Sequence, residues 1–386
     1  MKLENNDKIF ITGGHLTPAL AVLEELQERG YRNLVWVGTQ YSQTQSEHKS
    51  AEYEQVTARN IRFIPFHAGK VWRRWTIRTA FKALTNLLKI PLGFITAFPL
   101  IMGERPKVVI SFGGYLALPI VIAARLQQIK VVTHEQTTTI GMANRIIARF
   151  AHKVFVSWEE TVGKFPETKV VLTGNPVRRE VLRVTTSNFS FPDKLPVIYV
   201  TGGNQGANTI NWRLMKILPE LLKDANVLHQ TGKSSITQDY HKASELKASL
   251  PEELKPRYII RDNIYGDQIG EAFGKADLVV SRSGANTIAE LLLLQIPSIL
   301  IPIPWSSNNE QLRNARMLKS TGLAYLLEQY DEMPPSELLE AIKIGLKRIK
   351  KKQGFNGKPI EEVTQASAKL VIPNGAKNIV DQLEKL

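Results

Sequence analysis

Short apolar segments alternate with longer segments of helical periodicity along the first half of the chain. Runs of β-branched and other apolar residues predict strands at 8–11, 34–37, 61–65, 108–111, 131–133, 154–156 and 170–172. Apolar residues spaced three and four apart predict helices at 18–29, 119–127 and 141–150. Pro18 suits the first turn of its helix, and Gly30 suits the end of it. This order predicts a parallel sheet with crossover helices.

The second half of the chain repeats the pattern. Strands are predicted at 197–200, 227–230, 258–261, 278–280 and 298–302, and helices at 208–222 and from 286 onward. The predicted fold class is therefore α/β, with two doubly wound, Rossmann-like domains. We place the first domain at 1–176 and the second at 177–374. A short amphipathic helix within 375–386 is expected to dock back on the first domain.

Four of the predicted strands end in glycine-containing turns that lead into helices, two in each half. These turns lie at 12–15, 112–115, 201–207 and 281–284. In doubly wound sheets ligands bind at the carboxyl ends of the strands, and the first N–H groups of the following helices attract anions. We therefore expect two domains that face each other across a cleft and bind a phosphorylated ligand.

The turn at 281–284 and the helix that follows it give the strongest indication of a ligand. Leu278 to Val280 form the end of a buried strand, and we expect small polar residues to stop it before Ser281. Glu290 falls in the early turns of the next helix. A carboxylate there cannot hold a phosphate, but it can accept hydrogen bonds from sugar hydroxyls. The unit suits a sugar nucleotide, although alone it would also suit an ordinary strand–helix connection.

Composition narrows the class of protein. The chain has 386 residues, 43% of them hydrophobic, which is enough for two domains of ordinary size. It has no cysteine, which excludes disulfides and thiolate metal sites. We expect no signal peptide and, without a run of 18 apolar residues, no membrane span. The net charge of +14 favours an anionic partner and, by itself, leaves nucleic acid, acidic lipid and phosphorylated substrates open.

The glycine turns do not match the common nucleotide-binding motifs. None has the spacing G-x-G-x-x-G, and the second strand leads into Val37-Gly-Thr39 without an acidic ribose ligand. The sequence also lacks the phosphate loop G-x-x-x-x-G-K-[ST], the zinc motif H-E-x-x-H and a paired Asp-x-Asp. We therefore expect no metal and no cofactor. Helix N-termini and arginines such as Arg178 would then stabilise a diphosphate.

Seven motifs follow one another in a characteristic order. They are Thr12-Gly-Gly-His15, Phe112-Gly-Gly-Tyr115, His134-Glu-Gln136, Asn175-Pro-Val-Arg178, Gly202-Gly-Asn-Gln-Gly-Ala207, Ser283-Gly-Ala-Asn-Thr-Ile-Ala-Glu290 and Gln311-Leu-Arg-Asn-Ala315. Over nearly the whole chain this order resembles the MurG family of peptidoglycan N-acetylglucosaminyltransferases. The resemblance implies a GT-B-like fold and an inverting transfer of N-acetylglucosamine. The donor would be UDP-N-acetylglucosamine and the acceptor undecaprenyl-diphospho-muramyl-pentapeptide, at the cytoplasmic face of the cell membrane.

Carried over position by position, the resemblance assigns the site residues. The substrate-binding residues would be Thr12, Gly13, Gly14, Thr137, Arg178, Asn204, Gly266, Ala285, Asn286, Thr287, Ile288, Ala289, Glu290 and Gln311. Glu290 would hold the ribose hydroxyls, Gln311 the sugar hydroxyls, and the backbone near Tyr265 and Gly266 the uracil. The catalytic candidates are His15 first and Glu135 second. The acceptor hydroxyl must lose a proton during attack, and a neutral imidazole is a suitable base near pH 7.

The chain departs from the family's pattern at four points. Its first glycine loop is shorter than the usual Gly-Gly-Thr-Gly-Gly-His. Thr137 replaces an asparagine, Asn204 replaces a serine, and Asn309-Glu-Gln311 replaces Asp-His-Gln. The first three would face the expected cleft. They therefore bear on the sugar or acceptor pocket more than on the nucleotide pocket.

Other interpretations stay open at this point. His15 could cap its helix, His134 and Glu135 could form a buried polar pair, and Tyr115 could serve packing. A UDP-N-acetylglucosamine 2-epimerase could use the same fold and nucleotide without a lipid acceptor. A glycolipid synthase could use diacylglycerol instead. An inactive membrane-bound UDP-sugar sensor would keep Glu290 and lose turnover.

The segment between Glu54 and Glu104 predicts contact with an anionic membrane surface. It has no acidic residue, and its basic residues are Arg59, Arg62, Lys70, Arg73, Arg74, Arg78, Lys82 and Lys89. Its apolar residues at helical spacing are Ile77, Phe81, Leu84 and Leu88, preceded by Trp72 and Trp75. We expect Pro91 to end this helix and the run to Met102 to pack on the sheet. A core-facing helix would show the same periodicity. Nucleic acid fits less well, because the aromatic residues share one helical face.

Overall fold

The chain forms two compact α/β units, each built on one parallel sheet. The computed structural model describes residues 3–41, 49–68, 80–184, 187–203 and 206–386, with the side chains of 80–90 and of Ser307 left out. Unit 1 comprises Met1–Arg178 and Ile372–Leu386, and unit 2 comprises Arg179–Val371. The predicted α/β fold class with two doubly wound sheets is confirmed.

Within the described residues, unit 1 has a seven-stranded sheet flanked by helices. The strands are β1 Ile9–Thr12, β2 Leu34–Gly38, β3 Arg62–Pro65, β4 Val108–Ser111, β5 Lys130–Glu135, β6 Lys153–Val156 and β7 Val170–Leu172. The helices are α1 Leu16–Glu28, α2 Ala51–Thr57, α3 Ala80–Glu104, α4 Ala117–Leu126, α5 Met142–Phe150, α6 Glu159–Val162 and, from the end of the chain, α14 Gly375–Leu383. The sheet order is β3-β2-β1-β4-β5-β6-β7.

The order of the strands reverses at the centre of this sheet. β1 pairs in parallel with β2 on one side and with β4 on the other, so that Thr12 lies beside both Val37 and Ser111. The carboxyl ends of β1 and β4 are therefore neighbours. Such a switch point is where ligands of doubly wound sheets bind.

Alternate residues of β1 enter different layers of the unit 1 core. Ile9 and Ile11 pack with apolar residues of α1 and α14 on one face of the sheet. Phe10 packs on the other face with residues of α3, α4 and α5. This alternation follows from the two-residue period of a strand. Because both faces are covered, the strand is apolar throughout.

α14 is fixed to unit 1 by charged and apolar contacts. The Arg29 guanidinium donates hydrogen bonds to Glu25 at 2.8 Å, to Asp381 at 2.6 Å and to Glu384 at 3.0 Å. Asn378 Nδ2 donates to the carbonyl oxygen of Thr173 at 2.9 Å. Apolar residues of α14 are buried in the same core layer as α1. The end of the chain thus completes unit 1.

The course of α3 corrects one sequence prediction. Pro91 was expected to end a helix, but α3 continues to Glu104 with both Pro91 and Pro99 inside it. A proline already has a helical φ and removes one hydrogen bond, which bends a helix but need not end it. Ala97 and Ile101 are buried in the core as predicted for this run. Its other face is exposed.

The predicted membrane segment is only partly described. Residues 69–79, which include both tryptophans and four of the predicted basic residues, lie outside the described residues. The backbone of 80–90 is helical, whereas the side chains of that stretch are not described. Among the described residues, no helix is both long enough and apolar enough to cross a bilayer.

Unit 2 repeats the architecture with six strands in its described part. The strands are β8 Val197–Thr201, β9 Asn226–Gln230, β10 Tyr258–Arg261, β11 Leu278–Ser281, β12 Ser298–Leu300 and β13 Ala324–Leu326. The helices are α7 Asn208–Leu221, α8 Asp239–Ser249, α9 Asp267–Lys275, α10 Ala285–Leu294, α11 Glu310–Thr321, α12 Pro335–Lys350 and α13 Ile360–Ala368. The parallel sheet has the order β10-β9-β8-β11-β12-β13, and its switch point lies between β8 and β11.

β11 is one residue longer than predicted. Ser281 belongs to the strand, because it pairs with Thr201 of β8 and Leu300 of β12. β11 lies between two other strands of the sheet, and pairing on both sides includes the polar Ser281 in the strand. The turn into α10 therefore consists of residues 282–284.

Candidate functional site

Open space lies above three glycines at the carboxyl ends of the unit 2 strands. Gly203 follows β8, Gly266 follows β10 and Gly284 follows β11. A Cβ added at any of the three would meet no described heavy atom within 4 Å. A ligand can therefore approach the backbone closely at these positions. Gly284 immediately precedes α10, and the first N–H groups of a helix favour an anion.

The turn at 282–284 is tied firmly to α11. Ser283 Oγ donates a hydrogen bond to the carbonyl oxygen of Gln311 at 2.8 Å, and Asn314 Nδ2 donates to the carbonyl oxygen of Ser283 at 3.0 Å. Ser283 and Asn314 are fully buried. The Gln311 side chain is itself oriented, because its Oε1 accepts from the backbone N–H of Ile303 at 3.1 Å. Its Nε2 group is the part that could donate to a sugar hydroxyl.

Arg282 brings a positive charge to this turn, and the sequence analysis did not assign it a role. Its Nη1 donates to the carbonyl oxygen of Ile301 at 2.9 Å and its Nη2 to Thr209 Oγ1 at 2.7 Å. Burial and, second, the charge of Arg213 lower the pKa of Arg282 to about 10. The residue is still charged at neutral pH and links the turn after β11 to the start of α7.

The six residues predicted on α10 differ in what they can offer a ligand. The side chains of Ala285, Ile288 and Ala289 are buried, so only their backbone could take part. Asn286 and Thr287 are half-buried. Glu290 is 6% exposed and occupies the second turn of the helix. Its predicted contact with ribose stays a prediction.

The remaining unit 2 candidates lie at the other side of the switch point. Gly266 has φ 53° and precedes α9, a conformation that favours glycine. The neighbouring Tyr265 ring is exposed, and the Lys233 ammonium lies 5.5 Å from its centroid. An aromatic ring and a cation thus border the predicted uracil position. Asn204 lies outside the described residues.

In unit 1, the two glycine turns at the switch point touch each other. A Cβ on Gly14 would lie 2.2 Å from the carbonyl oxygen of Gly113, and one on Gly114 would lie 3.2 Å from the Cα of Gly14. Gly113 and Gly114 have φ of 78° and 80°. Both turns therefore require glycine for steric and conformational reasons. Thr12 is fully buried at the end of β1, whereas Gly14 is exposed and His15 half-buried.

Glu52 of α2 is a second residue that the sequence analysis missed. Its carboxylate accepts hydrogen bonds from the indole Nε1 of Trp36 at 2.7 Å and from the backbone N–H of Thr39 at 3.0 Å. Burial raises the pKa of Glu52, and these two hydrogen bonds oppose the rise. Burial, and second the charge of Glu52, also raise the pKa of Tyr115. Tyr115 is 41% exposed, which contradicts a purely packing role.

His15 has the properties of a neutral imidazole. It precedes α1, but its side chain makes no capping hydrogen bond, so the capping interpretation is wrong. Burial lowers the pKa of His15, and the charge of Glu135 partly offsets this. The ring is therefore uncharged at neutral pH and able to accept a proton.

Glu135 is fully engaged in shaping the loop that follows β5. Its Oε1 accepts from the backbone N–H and the hydroxyl of Thr137 at 3.0 and 2.8 Å. Its Oε2 accepts from the backbone N–H of Gly141 and from Asn144 Nδ2, both at 3.0 Å. Glu135 is 1% exposed. Both carboxylate oxygens are thus occupied by groups of the loop itself, which indicates a loop anchor. Thr137, which replaces the asparagine usual in the family, thus contacts Glu135 through both its backbone and its hydroxyl.

His134 has separate partners and does not pair with Glu135. Its Nε2 lies 3.1 Å from Ser157 Oγ, and the Ser157 hydroxyl donates to Asn175 Oδ1 at 3.2 Å. Burial, and second the charge of His15, lower the pKa of His134 to about 3. Arg178, which follows in the same motif as Asn175, is the last residue of this part of unit 1 and is half-buried. The described residues contain no group of three side chains suited to bind a metal ion.

Comparison with known proteins identifies the family. Residues 12–156 match the N-terminal domain of glycosyltransferase family 28, and residues 197–371 match its C-terminal domain. A protein from Clostridium perfringens (strain SM101, type A) is 32% identical over 388 residues, which cover 98% of each chain. It is named UDP-N-acetylglucosamine–N-acetylmuramyl-(pentapeptide) pyrophosphoryl-undecaprenol N-acetylglucosamine transferase. The chain belongs to the MurG family.

A solved structure supports this membership. The crystal structure of Acinetobacter baumannii MurG is 25% identical in sequence and has a TM-score of 0.66. The match covers 98% of this chain and 100% of that one. A UDP-GlcNAc 2-epimerase from Neisseria meningitidis, solved with UDP-GlcNAc, has a TM-score of 0.62 over 98% of this chain and 99% of that one. It is only 13% identical, so it shares the fold alone. The resemblance to the MurG family that the seven motifs indicated is confirmed.

Proposed function

We propose that the protein transfers N-acetylglucosamine from UDP-N-acetylglucosamine to undecaprenyl-diphospho-muramyl-pentapeptide, with inversion at the anomeric carbon. The observation that supports the proposal is the structure of the turn at 282–284, in a chain that belongs to the MurG family. This turn combines open backbone at Gly284, a helix N-terminus and the nearby guanidinium of Arg282. These are the groups that a departing nucleoside diphosphate needs when no metal takes part.

Each unit has its own part in the proposed reaction. In unit 2, the α10 N-terminus binds the diphosphate, Glu290 accepts hydrogen bonds from the ribose, and Gln311 Nε2 donates to the sugar. In unit 1, His15 accepts the proton of the acceptor hydroxyl as that oxygen forms its bond to the anomeric carbon. The bond from this carbon to the phosphate oxygen breaks, and UDP leaves with the added negative charge. Thr12, Gly13, Gly14, Thr137, Arg178 and Asn204 keep their proposed substrate contacts.

Glu135, the second candidate for the catalytic base, has a structural part in this proposal. It anchors the loop from Gln136 to Gly141 through four hydrogen bonds. We therefore assign proton transfer to His15 and loop geometry to Glu135. The contacts of His134 support the same choice, because its side chain is only 1% exposed and its Nε2 is already within hydrogen-bond distance of Ser157 Oγ.

An exposed apolar face in unit 1 supports a membrane contact. On α3 it consists of Leu92, Ile95, Phe98 and Met102, which lie at helical spacing and are between 43% and 65% exposed. α3 packs on α4, and α4 packs on α5. The exposed Leu126, Met142 and Ile146 continue the apolar residues on these two helices. A large patch of exposed apolar side chains on a protein surface is typical of a binding site.

Basic residues accompany this apolar face. Arg125 on α4 and Arg145 and Arg149 on α5 are exposed beside its apolar members. Cations around an apolar surface favour binding to an anionic bilayer. We infer that unit 1 binds the membrane peripherally, at the cytoplasmic face where the lipid acceptor would be reached.

A single assay separates this function from its alternatives. UDP release from UDP-N-acetylglucosamine is measured with lipid-linked muramyl-pentapeptide, with diacylglycerol, and without acceptor. The proposal expects release only with the muramyl-pentapeptide acceptor. Conversion of the sugar nucleotide without an acceptor would identify an epimerase, and release with diacylglycerol a glycolipid synthase. Binding of UDP-N-acetylglucosamine without turnover in any arm would identify a sensor.

A further inference from the structure

A row of three polar side chains crosses neighbouring strands of the unit 2 sheet near their carboxyl ends. It begins at Tyr199 of β8, continues through Gln230, the last residue of β9, and ends at Asn263, two residues after β10. The Tyr199 hydroxyl donates a hydrogen bond to Gln230 Oε1 at 2.7 Å, and Gln230 Nε2 donates to Asn263 Oδ1 at 3.5 Å. All three side chains are at least nine-tenths buried.

These hydrogen bonds fix the orientation of both amides. Because the Tyr199 hydroxyl donates to the amide oxygen of Gln230, the amide nitrogen of Gln230 faces Asn263. Asn263 therefore uses its oxygen towards Gln230, and its Nδ2 group is left as a donor. Within the described part of the chain this buried Nδ2 has no hydrogen-bond partner. A buried donor without an acceptor is costly, so a missing acceptor is expected.

The unpartnered amide belongs to a loop that has room for a ligand. Asn263 lies in the connection from β10 to α9, three residues before Gly266. A Cβ on Gly266 would meet no described heavy atom within 4 Å. The exposed ring of Tyr265 lies between them in the sequence. A ligand that enters this space with a hydrogen-bond acceptor would satisfy Asn263 Nδ2.

The order of the strands indicates which part of a nucleotide reaches this loop. The proposed diphosphate position at Gly284 follows β11, whereas Asn263 follows β10, three strands away in the order β10-β9-β8-β11. Neighbouring strands lie about 4.8 Å apart, so the two positions are separated by about 14 Å across the sheet. A nucleotide with its diphosphate at Gly284 that extends across the sheet has its base near β10. The edge of the base opposite the ribose then lies farthest from Gly284, and in uracil this edge carries O4.

We infer that Asn263 is a specificity-determining residue whose Nδ2 donates a hydrogen bond to O4 of uracil, and that Tyr199 and Gln230 are positioning residues that keep this amide from turning over. The inference rests on the proposed function, because it takes the sugar donor to be a uridine nucleotide. Cytosine has an amino group in place of O4, so a fixed amide nitrogen would face a second donor. Packing alone would explain the burial of the three side chains. It would not explain the unpartnered donor at the end of the row.

The test compares the dissociation constants of UDP and CDP, measured by calorimetry on the full chain. The parent protein should bind UDP more tightly than CDP. Asn263→Ser removes the amide, so the ratio of the CDP constant to the UDP constant should fall by about 5-fold to 100-fold, which corresponds to the cost of a buried donor without an acceptor.

Asn226→Ser is the matched control. Asn226 is fully buried at the first position of β9, at the opposite edge of the same sheet. Its Nδ2 donates to Asp193 Oδ1 at 3.0 Å and to the carbonyl oxygen of Leu195 at 3.1 Å. The folded variant should be less stable than the parent but keep the parent's ratio, because no contact to the base is removed.

Tyr199→Phe tests the positioning residues and leaves the base contact itself in place. The ring is kept, together with its edge-to-face contact to Phe273, whereas the hydrogen bond to Gln230 is lost. Both amides can then turn over, and Asn263 Oδ1 can accept from the amino group of cytosine. The affinity for CDP should therefore rise by about 2-fold to 10-fold, the value of one hydrogen bond. Damage to the structure alone would instead weaken the binding of both nucleotides.

The ratio of the two constants decides the outcome. A folded Asn263→Ser protein with the parent's ratio would overturn the inference, as would a parent protein that binds UDP and CDP equally well. Where Asn263→Ser does not fold, an unchanged ratio in Tyr199→Phe would overturn it. A parent protein that binds neither nucleotide would contradict the proposed function itself.

Discussion

The carboxylate of Glu52 occupies the space beside Gly13 at the end of β1. A Cβ added to Gly13 would lie 1.5 Å from Glu52 Oε1, and one added to Gly38 would lie 2.5 Å from the same atom. The shortened first glycine turn is therefore packed against an acidic side chain. Gly13 does not have a positive φ, so its need for glycine is steric and comes from Glu52.

This contact predicts a strong coupling between the two positions. Gly13→Ala should lower the free energy of unfolding by about 1–3 kcal/mol, because its methyl group overlaps the carboxylate. In a Glu52→Ala background the same change should cost much less, since the overlap is gone. Urea denaturation of the parent, both single variants and the double variant would measure this. Equal costs of Gly13→Ala in both backgrounds would contradict the prediction.

Glu290→Ala should weaken binding of the donor. A buried carboxylate that accepts hydrogen bonds from ribose is worth about 1.5–3 kcal/mol, which corresponds to roughly a 10-fold to 100-fold rise in the dissociation constant for UDP. Calorimetry measures the effect, and Glu332→Ala provides an exposed acidic control in unit 2. Unchanged UDP affinity in a folded Glu290→Ala protein would exclude the proposed ribose contact.

His15→Ala should separate chemistry from donor binding. If His15 accepts the proton of the acceptor, the turnover number should fall by about 10²-fold to 10⁴-fold. Affinity for UDP-N-acetylglucosamine should hardly change, because the imidazole does not hold the nucleotide. Steady-state kinetics of the parent and of His241→Ala, an exposed histidine on α8, provide the comparison. Near-normal turnover in His15→Ala would assign the base elsewhere.

The apolar face of unit 1 should direct the protein to anionic vesicles. We expect sedimentation with phosphatidylglycerol-containing vesicles but not with neutral ones, and weaker binding at higher salt, at about 1 kcal/mol per basic residue near the surface. Ile95→Ser with Phe98→Ser, Arg145→Glu and Arg149→Glu should release the protein and leave UDP binding intact. The exposed unit 2 residues Ile236 and Lys350, changed to Ser and Glu, form the control. Undiminished sedimentation of the quadruple variant would place the membrane contact on another surface.

Mild acid should destabilise the protein through two buried histidines. Burial lowers the pKa of both His134 and His229 from 6.5 to about 3, so their stabilising contribution is complete above pH 6.5 and is lost as the pH falls towards 3. Below pH 6.5 each histidine should reduce the free energy of unfolding with a slope that approaches about 1.4 kcal/mol per pH unit once the unfolded histidine is fully protonated. Urea denaturation across this range would show the slope. It should persist in His241→Gln and decrease in a folded His229→Gln protein.

The sequence predicted the strands and the glycine turns well, because both are local patterns. Buried parallel strands are apolar along their whole length, and the turns before α1, α4 and α10 lie where the glycines indicated. β13 was not predicted, because a strand of only three residues, Ala324–Leu326, has too short a pattern to be distinguished from an apolar loop. The continuation of α3 beyond Pro91 also depends on tertiary packing, because burial of Ala97 and Ile101 outweighs the lost hydrogen bond.

The partners of the site residues could not be predicted in the same way. Glu52 reaches Gly13 from a helix nearly forty positions away, and Gln230 reaches Asn263 from a neighbouring strand. No periodicity or motif connects such positions in a single sequence. Glu135 shows the converse limit. Its motif made it a candidate for a base, whereas its four hydrogen bonds, which no motif reveals, indicate a loop anchor.

The return of α14 to unit 1 has a consequence for the order in which the protein is made. The core of unit 1 includes Ile379, Val380 and Leu383 of α14. Two of the ion-pair partners of Arg29, Asp381 and Glu384, also lie at this end of the chain. A ribosome adds these residues only after it has synthesised all of unit 2. Domains usually fold in the order of their synthesis, the N-terminal one first. Here the unit that begins first is completed last, and its α1 face remains uncovered while unit 2 already has every residue of its own core.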